Sequence, residues 1–423
     1  MRISSHNSQY FDTLRVLSID SAKQISTMKH YDFDEIIPRK GTGCVKHDMM
    51  MRDFGRTDLL PMWVADMDFR SPDFVMEALR RRCDHEVLGY AMAEDSYFAT
   101  MRSWLSSHYN IDAARHELHF IPGIVAGIAF VLQALTKPGD GVLITTPVYP
   151  PFVHLPQGGG RRLVCSRLKV EEGRFAIDFD DLERKAQGCS LMILSNPHNP
   201  AGTVWSREDL RRVAEICHRN NVTVISDEIH ADMTLPGHTH TSFSTVGDTA
   251  ANISLTFIAP SKTFNIAGLG SSVCYIPNRE IRDKVFGYLD DYEVANGNIF
   301  AFVGAEAAFR QGEEWRLQML DYLQGNVDFL RQYLTAHLPR VKAMLPEASY
   351  LAWLDFSDYG LSHSQMRDLI INTARVALND GTSFAPLDAE GHPDPATLNH
   401  FRLNIGCPRA TLKEALDRIA LIQ

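Results

Sequence analysis

The sequence predicts an α/β fold, in which a large domain with a mostly parallel sheet flanked by helices carries a smaller α+β domain. Three observations lead there. Short apolar runs rich in β-branched residues recur without strict polar alternation, as strands buried on both faces do. Capped amphipathic helical stretches separate several of these runs, and strand–helix–strand alternation is the pattern of a parallel sheet. Beyond residue 310 the alternation gives way to long helical patterns and a single strand, which marks a second, smaller body.

The elements follow in order. Ile124 to Leu135 is the longest strongly apolar stretch, interrupted by Gly127 and Gln133; it reads as a buried core helix, too short to cross a membrane. Gly141 to Thr146 is a strand ending before Pro147, and Ser190 to Ser195 is another, ending before Asn196-Pro197. Ser206 opens a helix: Ser206 and Asp209 form a capping box, and Leu210, Val213, Ile216 and Cys217 share one face. Val222 to Ser226 precedes Asp227, Ser254 to Ile258 precedes Pro260, and Ser272 to Ile276 precedes Pro277. Residues 313–338 are helical in pattern, and Tyr350 to Phe356 is a strand. Ser362 or Ser364 then caps a helix reaching Ala374. The expected layout is an N-terminal extension over residues 1–30, the first part of the small domain over 31–75, the large domain over 76–310 and the rest of the small domain over 311–423. The last boundary is expected inside a long helix near 305–315. The folded body is expected to begin near Tyr31. Met28 offers an alternative start that would make residues 1–27 dispensable, and a targeting role for them is the competing view.

The chain has 423 residues, 45% of them apolar and 22% charged, an ordinary globular balance with material for a large core. Collagen-like, low-complexity and wholly disordered classes are excluded. Acidic residues (52) exceed basic ones (42), the net charge is −10, and no long Lys/Arg cluster opposes it, so nucleic acid is not an expected partner. Neither is a membrane. Leu14 to Ile19 is short and broken by Ser18, so no secretory segment is read there. The 7 cysteines are scattered, odd in number and without a C-x-x-C pair, which disfavours a disulfide framework or zinc site and fits a reducing, cytoplasmic compartment. Gly268-x-Gly270 and Gly158 to Gly160 lack the context of a dinucleotide loop. His238 and His240 read as solvated loop residues, so no metal site is expected.

In parallel α/β sheets, ligands bind beyond the carboxyl ends of the strands. The residues placed there are Tyr149, Asn199 within Asn196-Pro197-His198-Asn199-Pro200, Asp227, and Ser261-Lys262. An aromatic ring, a carboxamide, a carboxylate and an amine on one crevice suit a planar, aldehyde-bearing nitrogen heterocycle. The lysine would form an imine, the aspartate pair with a ring N–H⁺, the asparagine bond a ring oxygen and the tyrosine stack. Pyridoxal 5′-phosphate (PLP) meets that description.

Six segments then carry a resemblance: Tyr31 to Ile37 (YDFDEII), Leu60 to Phe69 (LPMWVADMDF), Ser195 to Gly202 (SNPHNPAG), Ser226 to His230 (SDEIH), Ala259 to Asn265 (APSKTFN) and Arg402 to Arg409 (RLNIGCPR). In this order the chain resembles fold-type I PLP enzymes of the class I/II aminotransferase superfamily. It resembles most the cystathionine β-lyase branch that includes the maltose-regulon modulator type of C–S lyase. The resemblance implies that Lys262 is the Schiff-base lysine, Asp227 the partner of the ring nitrogen, Asn199 the ligand of the ring oxygen and Tyr149 the stacking ring with a catalytic role. It implies that His230 lies near the ring oxygen, where many related aminotransferases carry tyrosine. The N–H groups of Ile124 and Val125 would hold the phosphate, with Ser261 adding a hydroxyl and Tyr90 reaching the phosphate of a neighbouring subunit, hence a homodimer with its active site at the interface. Ala259 and Gly270 stand where a serine and an arginine are frequent, which alters the phosphate shell. Arg402 would bind the substrate carboxylate. Trp63, Val64 and Ala65 are expected at the substrate mouth, with a core position as the alternative for Trp63. The segment Leu387 to His400 reads as an inserted loop over the entrance. The implied activity is β-elimination of L-cystathionine or related S-substituted L-cysteines, giving pyruvate, ammonia and a thiol. An aminotransferase and a regulatory binding protein with residual lyase activity are the alternatives.

Overall fold

The apolar runs do not alternate because both faces of their sheet are covered. In Val142-Leu143-Ile144, Leu143 joins the core cluster of Met192, Leu194, Val224, Leu210 and Val213, while Val142 and Ile144 join that of Ile193, Ile225, Phe257, Ile128 and Leu132. Successive side chains still point to opposite faces, and each face meets helices.

The computed structural model describes residues 29–422. The central sheet holds β1 (Leu118–Ile121), β2 (Gly141–Thr146), β3 (Arg162–Arg167), β4 (Cys189–Ser195), β5 (Thr223–Asp227), β6 (Ser254–Ile258) and β7 (Ser272–Tyr275), in spatial order β1-β7-β6-β5-β4-β2-β3. The pairs from β3 to β6 are parallel, and β7 is antiparallel to both β6 and β1. Five strands lie where their apolar runs predict them. β1 and β3 had no such signal: β1 is only four residues long and carries His119, and β3 is a sheet edge with exposed Arg162 and Arg167 at its ends.

The helix α1 (Ile124–Leu135) occupies the span read from its apolar pattern. Gly127 sits on its inner face, where an added Cβ would come within 2.8 Å of both Ile121 and Phe257, so the helix lies against the sheet at backbone distance. The capping box of Ser206 and Asp209 starts the helix Arg207–Arg219. The long helix expected across 305–315 is two helices, α2 (Ile299–Gln311) and α3 (Glu313–His337), meeting at Gly312. A Cβ at Gly312 would lie 2.2 Å from the Ala308 carbonyl and from the Phe264 ring, so only glycine fits the junction.

A second, antiparallel sheet contains β8 (Lys342–Met344), β9 (Leu351–Asp355), β10 (Asn379–Asp380) and β11 (His400–Asn404), in the order β8-β9-β11-β10. Leu60–Pro61 pairs in parallel with Val376–Ala377, bringing the segment before residue 75 beside the C-terminal part of the chain. Ser362 caps the helix His363–Asp368, which continues as a wider π-turn through Ala374. The N-terminal extension read over residues 1–30 lies, but for its last two positions, outside the described residues. Among the described residues no helix is long and apolar enough to cross a membrane, and all seven cysteines are free.

Candidate active site

The strand ends do converge. In the sheet register Asp227 lies beside Ser195 on one side and Phe257 on the other, so β4, β5 and β6 finish level. The chain leaving each strand then lines one cavity of about 430 Å³, walled by Gly123, Ile124, Val125, Tyr149, Asn199, Asp227, His230, Ser261 and Lys262 together with Ala65, Ala267 and Gly270. Nine of the predicted site residues, Ala65 included, meet here: Ala65, Ile124, Val125, Tyr149, Asn199, Asp227, His230, Ser261 and Lys262.

One end of the cavity is an anion cradle. Gly123 is the N-cap of α1 at φ 108°, a conformation that L side chains rarely adopt, and the space beside its α-carbon is open. The first intrahelical bond of α1 is Gly127 N–H to the Gly123 carbonyl at 3.0 Å, so the N–H groups of Ile124 and Val125 are left for a ligand. Ser261 also lines the wall, its hydroxyl donating to the Ser271 carbonyl at 3.3 Å.

The other end holds buried charge. Burial pushes the Asp227 carboxyl up to about 7, opposed by the Ile229 N–H it accepts at 3.1 Å and by Lys262. No ion pair to Asp227 forms among the described residues, so the carboxylate lacks the cationic donor its burial calls for. Desolvation lowers the Lys262 amine to about 8, with Arg402 acting in the same direction against Asp66 and Asp227. Its Nζ donates to the Ala65 carbonyl at 2.6 Å. His230 is buried, its Nδ1 has no partner, and burial holds it down to about 3, so it is a neutral imidazole.

Asn199 and Arg402 are joined. Arg402 Nη1 donates to Asn199 Oδ1 at 2.9 Å, which leaves the Asn199 amide N–H₂ as the end free to face a ligand. Arg402 Nη2 donates to the Trp63 carbonyl at 3.0 Å and to Asn379 Oδ1 at 2.6 Å, while the buried Nε has no partner. Arg402 thus stands directly behind Asn199 and not in the cavity wall. Asn379 had no sequence signal, being one polar residue in a two-residue strand.

Some expectations are corrected. Trp63 does not line the cavity: its ring packs with Phe54, Met50 and Ile371, and its indole N–H donates to the Lys46 carbonyl at 2.9 Å. Core packing won there because the aromatic face has an apolar cluster to join and only the backbone carbonyl is needed by Arg402. Val64 lines a second cavity of about 690 Å³, which meets the first at Ala65, Lys262 and Ala267. Tyr90 is not among the corrected residues: expected at a neighbouring subunit's phosphate, it is fully exposed and lines no part of its own chain's cavity. No residue of the expected loop from Leu387 to His400 lines either cavity. Leu387 to Pro395 line a separate cleft with Arg167 and Lys185, and Asp394 is paired to Arg167 at 3.0 Å. His240 is not a solvated loop residue: its Nε2 lies 3.0 Å from the buried carboxylate of Glu228, which also accepts Ser226 Oγ and Phe243 N–H. In the sequence Tyr350 signals only the start of a strand; in the fold its hydroxyl donates to the Ala65 carbonyl at 2.9 Å.

Comparison with known proteins adds the following. Residues 58–419 match the family model described as aminotransferase class I and II. The chain is 43% identical to the protein named cystathionine beta-lyase PatB of Bacillus subtilis, over 92% of this chain and 98% of that one. It is similar to a PLP-bound C–S lyase of Staphylococcus hominis, with a TM-score of 0.84 and 33% identity over 93% of this chain and 99% of that one. It is similar also to a PLP-bound putative aminotransferase of Clostridium difficile, with a TM-score of 0.89 and 36% identity over 93% and 100% of the two chains.

Proposed function

The chain belongs to the aminotransferase class I and II family, and on that premise we propose that it is a PLP-dependent carbon–sulfur β-lyase that converts L-cystathionine or related S-substituted L-cysteines to pyruvate, ammonia and a thiol. Its architecture is the fold-type I PLP-dependent transferase fold. The observation that carries the reading is the convergence of the Lys262 amine, the unpaired Asp227 carboxyl, the neutral His230 and the α1 N-terminus on one cavity. The choice of lyase within the family rests on the 43% identical relative.

The residues fit the cofactor group by group. The N–H groups of Ile124 and Val125, with the Ser261 hydroxyl, suit its phosphate. Asp227 supplies the missing half of an ion pair for a protonated ring nitrogen. The Asn199 amide N–H₂ and His230 suit the ring oxygen, and Tyr149 offers a ring to stack. When bound, PLP supplies an electrophilic aldehyde carbon and a cationic ring that accepts an electron pair. Lys262 would hold it covalently and, once the substrate's own amine had taken its place and freed the side chain, would take the proton from Cα; an amine lowered to about 8 gives up its proton to become a base far more readily than a free lysine. Arg402, reached past Asn199, would meet the α-carboxylate with its partnerless Nε–H or the second Nη1 N–H, both Nη2 hydrogens being held by Trp63 and Asn379, and so orient the Cα–H bond. Lys262 then returns its proton to the departing sulfur, with Tyr149 the second candidate donor. Overall, water and the S-substituted cysteine give thiol, pyruvate and ammonium.

Incubation of the holoenzyme with cystathionine and no keto acid tests this. Pyruvate and thiol released together support a lyase; turnover that requires an added keto acid means an aminotransferase, the second reading, which the family match and the same residue set favour.

The finer architecture completes the proposal. The small domain is assembled from residues 31–75 and 311–423 around the large domain of 76–310, supported by the pairing of Leu60–Pro61 with Val376–Ala377. The enzyme works as a homodimer, in which Tyr90 meets the partner's phosphate site; Val87, Leu88, Tyr90 and Met92 are exposed apolar residues on one short segment. Its compartment is the cytoplasm, in keeping with seven unpaired cysteines.

A further inference from the structure

The strap Trp63 to Phe69 is fastened at nearly every carbonyl by a side chain from elsewhere. Arg402 holds the Trp63 carbonyl at 3.0 Å, and Asn404 holds those of Val64 and Asp66 at 2.6 and 2.7 Å. Asn265 holds those of Met67 and Phe69 at 2.9 and 2.8 Å. The Ala65 carbonyl differs from the rest: it accepts the fully buried Tyr350 hydroxyl at 2.9 Å and the Lys262 amine at 2.6 Å. Ala65 and Lys262 also form the wall shared by the two cavities, so this contact lies between the cofactor's place and the larger space beside it.

We propose that the Ala65 carbonyl, fixed by Tyr350, is the seat that holds the Lys262 amine while it carries the substrate's proton, which makes Tyr350 a positioning residue of the reaction. The inference rests on the reading of Lys262 as the base. A neutral amine that donates one N–H to this carbonyl turns its lone pair away from it. When the Cα–H bond breaks, the electron pair stays with the carbon side and the proton joins Nζ. The resulting ammonium faces a carbonyl dipole already in place, and a dipole that need not reorganise stabilises the new charge best. When the carbon–sulfur bond breaks, the sulfur keeps the electron pair and takes the proton, and the amine is neutral again. Tyr350 touches neither substrate nor cofactor in this scheme. It fills the second acceptor direction of the carbonyl and stops the seat from drifting.

Tyr350→Phe keeps the ring and removes only the hydroxyl. Arg402, Asp66, Asp227 and His230, the charged and titratable groups around Lys262, remain. Cofactor is stripped from the holoenzyme, and recapture of added pyridoxal phosphate by Lys262 is followed against pH through its absorbance, normalised to the protein that captures it so that partial unfolding does not distort the result. A loosened seat stabilises the ammonium less, so the profile moves to lower pH and capture at pH 7 becomes about threefold faster, the effect of losing roughly one hydrogen bond. In the reloaded enzyme kcat falls about fivefold with little change in KM, and the isotope effect of a Cα-deuterated substrate grows. An unchanged capture profile and isotope effect, with only a lower melting temperature, would show Tyr350 to be packing alone and overturn the proposal. The capture measurement uses no substrate. If no S-substituted cysteine yields pyruvate the lyase reading fails, while the seat is still decided by capture; absence of capture at Lys262 in the unaltered protein overturns both.

Discussion

The roles proposed for Lys262 and Asp227 depend on their desolvation. In water the amine would keep its proton up to about 10.5 and the carboxyl would lose its own near 3.8; burial brings them to about 8 and about 7, close to neutral pH. Lys262→Ala is expected to remove the borohydride-trappable adduct from the peptide spanning position 262, checked by mass spectrometry, and to lower turnover by at least roughly a thousandfold, since nucleophile and base are lost together. For Asp227 the pH dependence has a definite sign. Its carboxyl titrates at about 7 in the fold against 3.8 free, so the folded state binds the extra proton in that window. Asp227's contribution to the stability of the cofactor-free protein therefore falls as pH rises from about 4 to about 7 and is flat above, while Lys262, lowered to about 8, adds stability as pH rises from about 8 to about 10.5. His198 and His230, held down to about 4 and about 3 by burial, act oppositely below pH 6.5. Comparison with Asp227→Asn cancels them: the variant's melting-temperature advantage is expected to grow from pH 4 to 7 and then level off. An advantage independent of pH would remove the buried charge from the account.

Among the elements, α1 does two tasks, and Gly127 connects them. Its inner face must approach the sheet closely for its N-terminus to point into the cavity. Gly127→Ala places a Cβ 2.8 Å from Ile121 and from Phe257. Overpacking costs about 1–3 kcal/mol, offset in part by the roughly 1 kcal/mol gain of alanine over glycine in a helix. The expected outcome is a net loss of about 1 kcal/mol in urea unfolding together with weaker PLP retention, because the displaced helix carries the Ile124 and Val125 N–H groups with it. Stability loss without loss of retention would mean that the sheet yields and α1 does not. Elements also differed in how openly they announced themselves. β2, β4, β5 and β6 are covered on both faces and read as apolar runs; β3 is an edge strand, and its charged ends hid it.

At the scale of the molecule, the exposed apolar segment Val87 to Met92 is the weak point of a solitary chain. Leu88→Asp with Met92→Asp is expected to yield monomer in sedimentation velocity, and Tyr90→Phe to leave the dimer intact while weakening PLP binding about tenfold, as loss of one charge-assisted phosphate contact would. A monomeric unaltered protein with full PLP affinity would count against the shared site.

From the sequence alone came the α/β class and the meeting of Lys262, Asp227, Asn199 and Tyr149 at one crevice. The reason is geometric: parallel strands end on one edge, so whatever follows each apolar run is delivered to a common crevice. The sequence did not determine which way β7 runs, that Trp63 turns into the core, that His240 meets Glu228, or that Arg402 is braced by Asn379. Nor did it show Tyr350 reaching Ala65 across 285 positions. Those contacts depend on how loops and two sheets close on one another. Local periodicity records which face of an element is buried and carries no term for the distant polar group that will be found there.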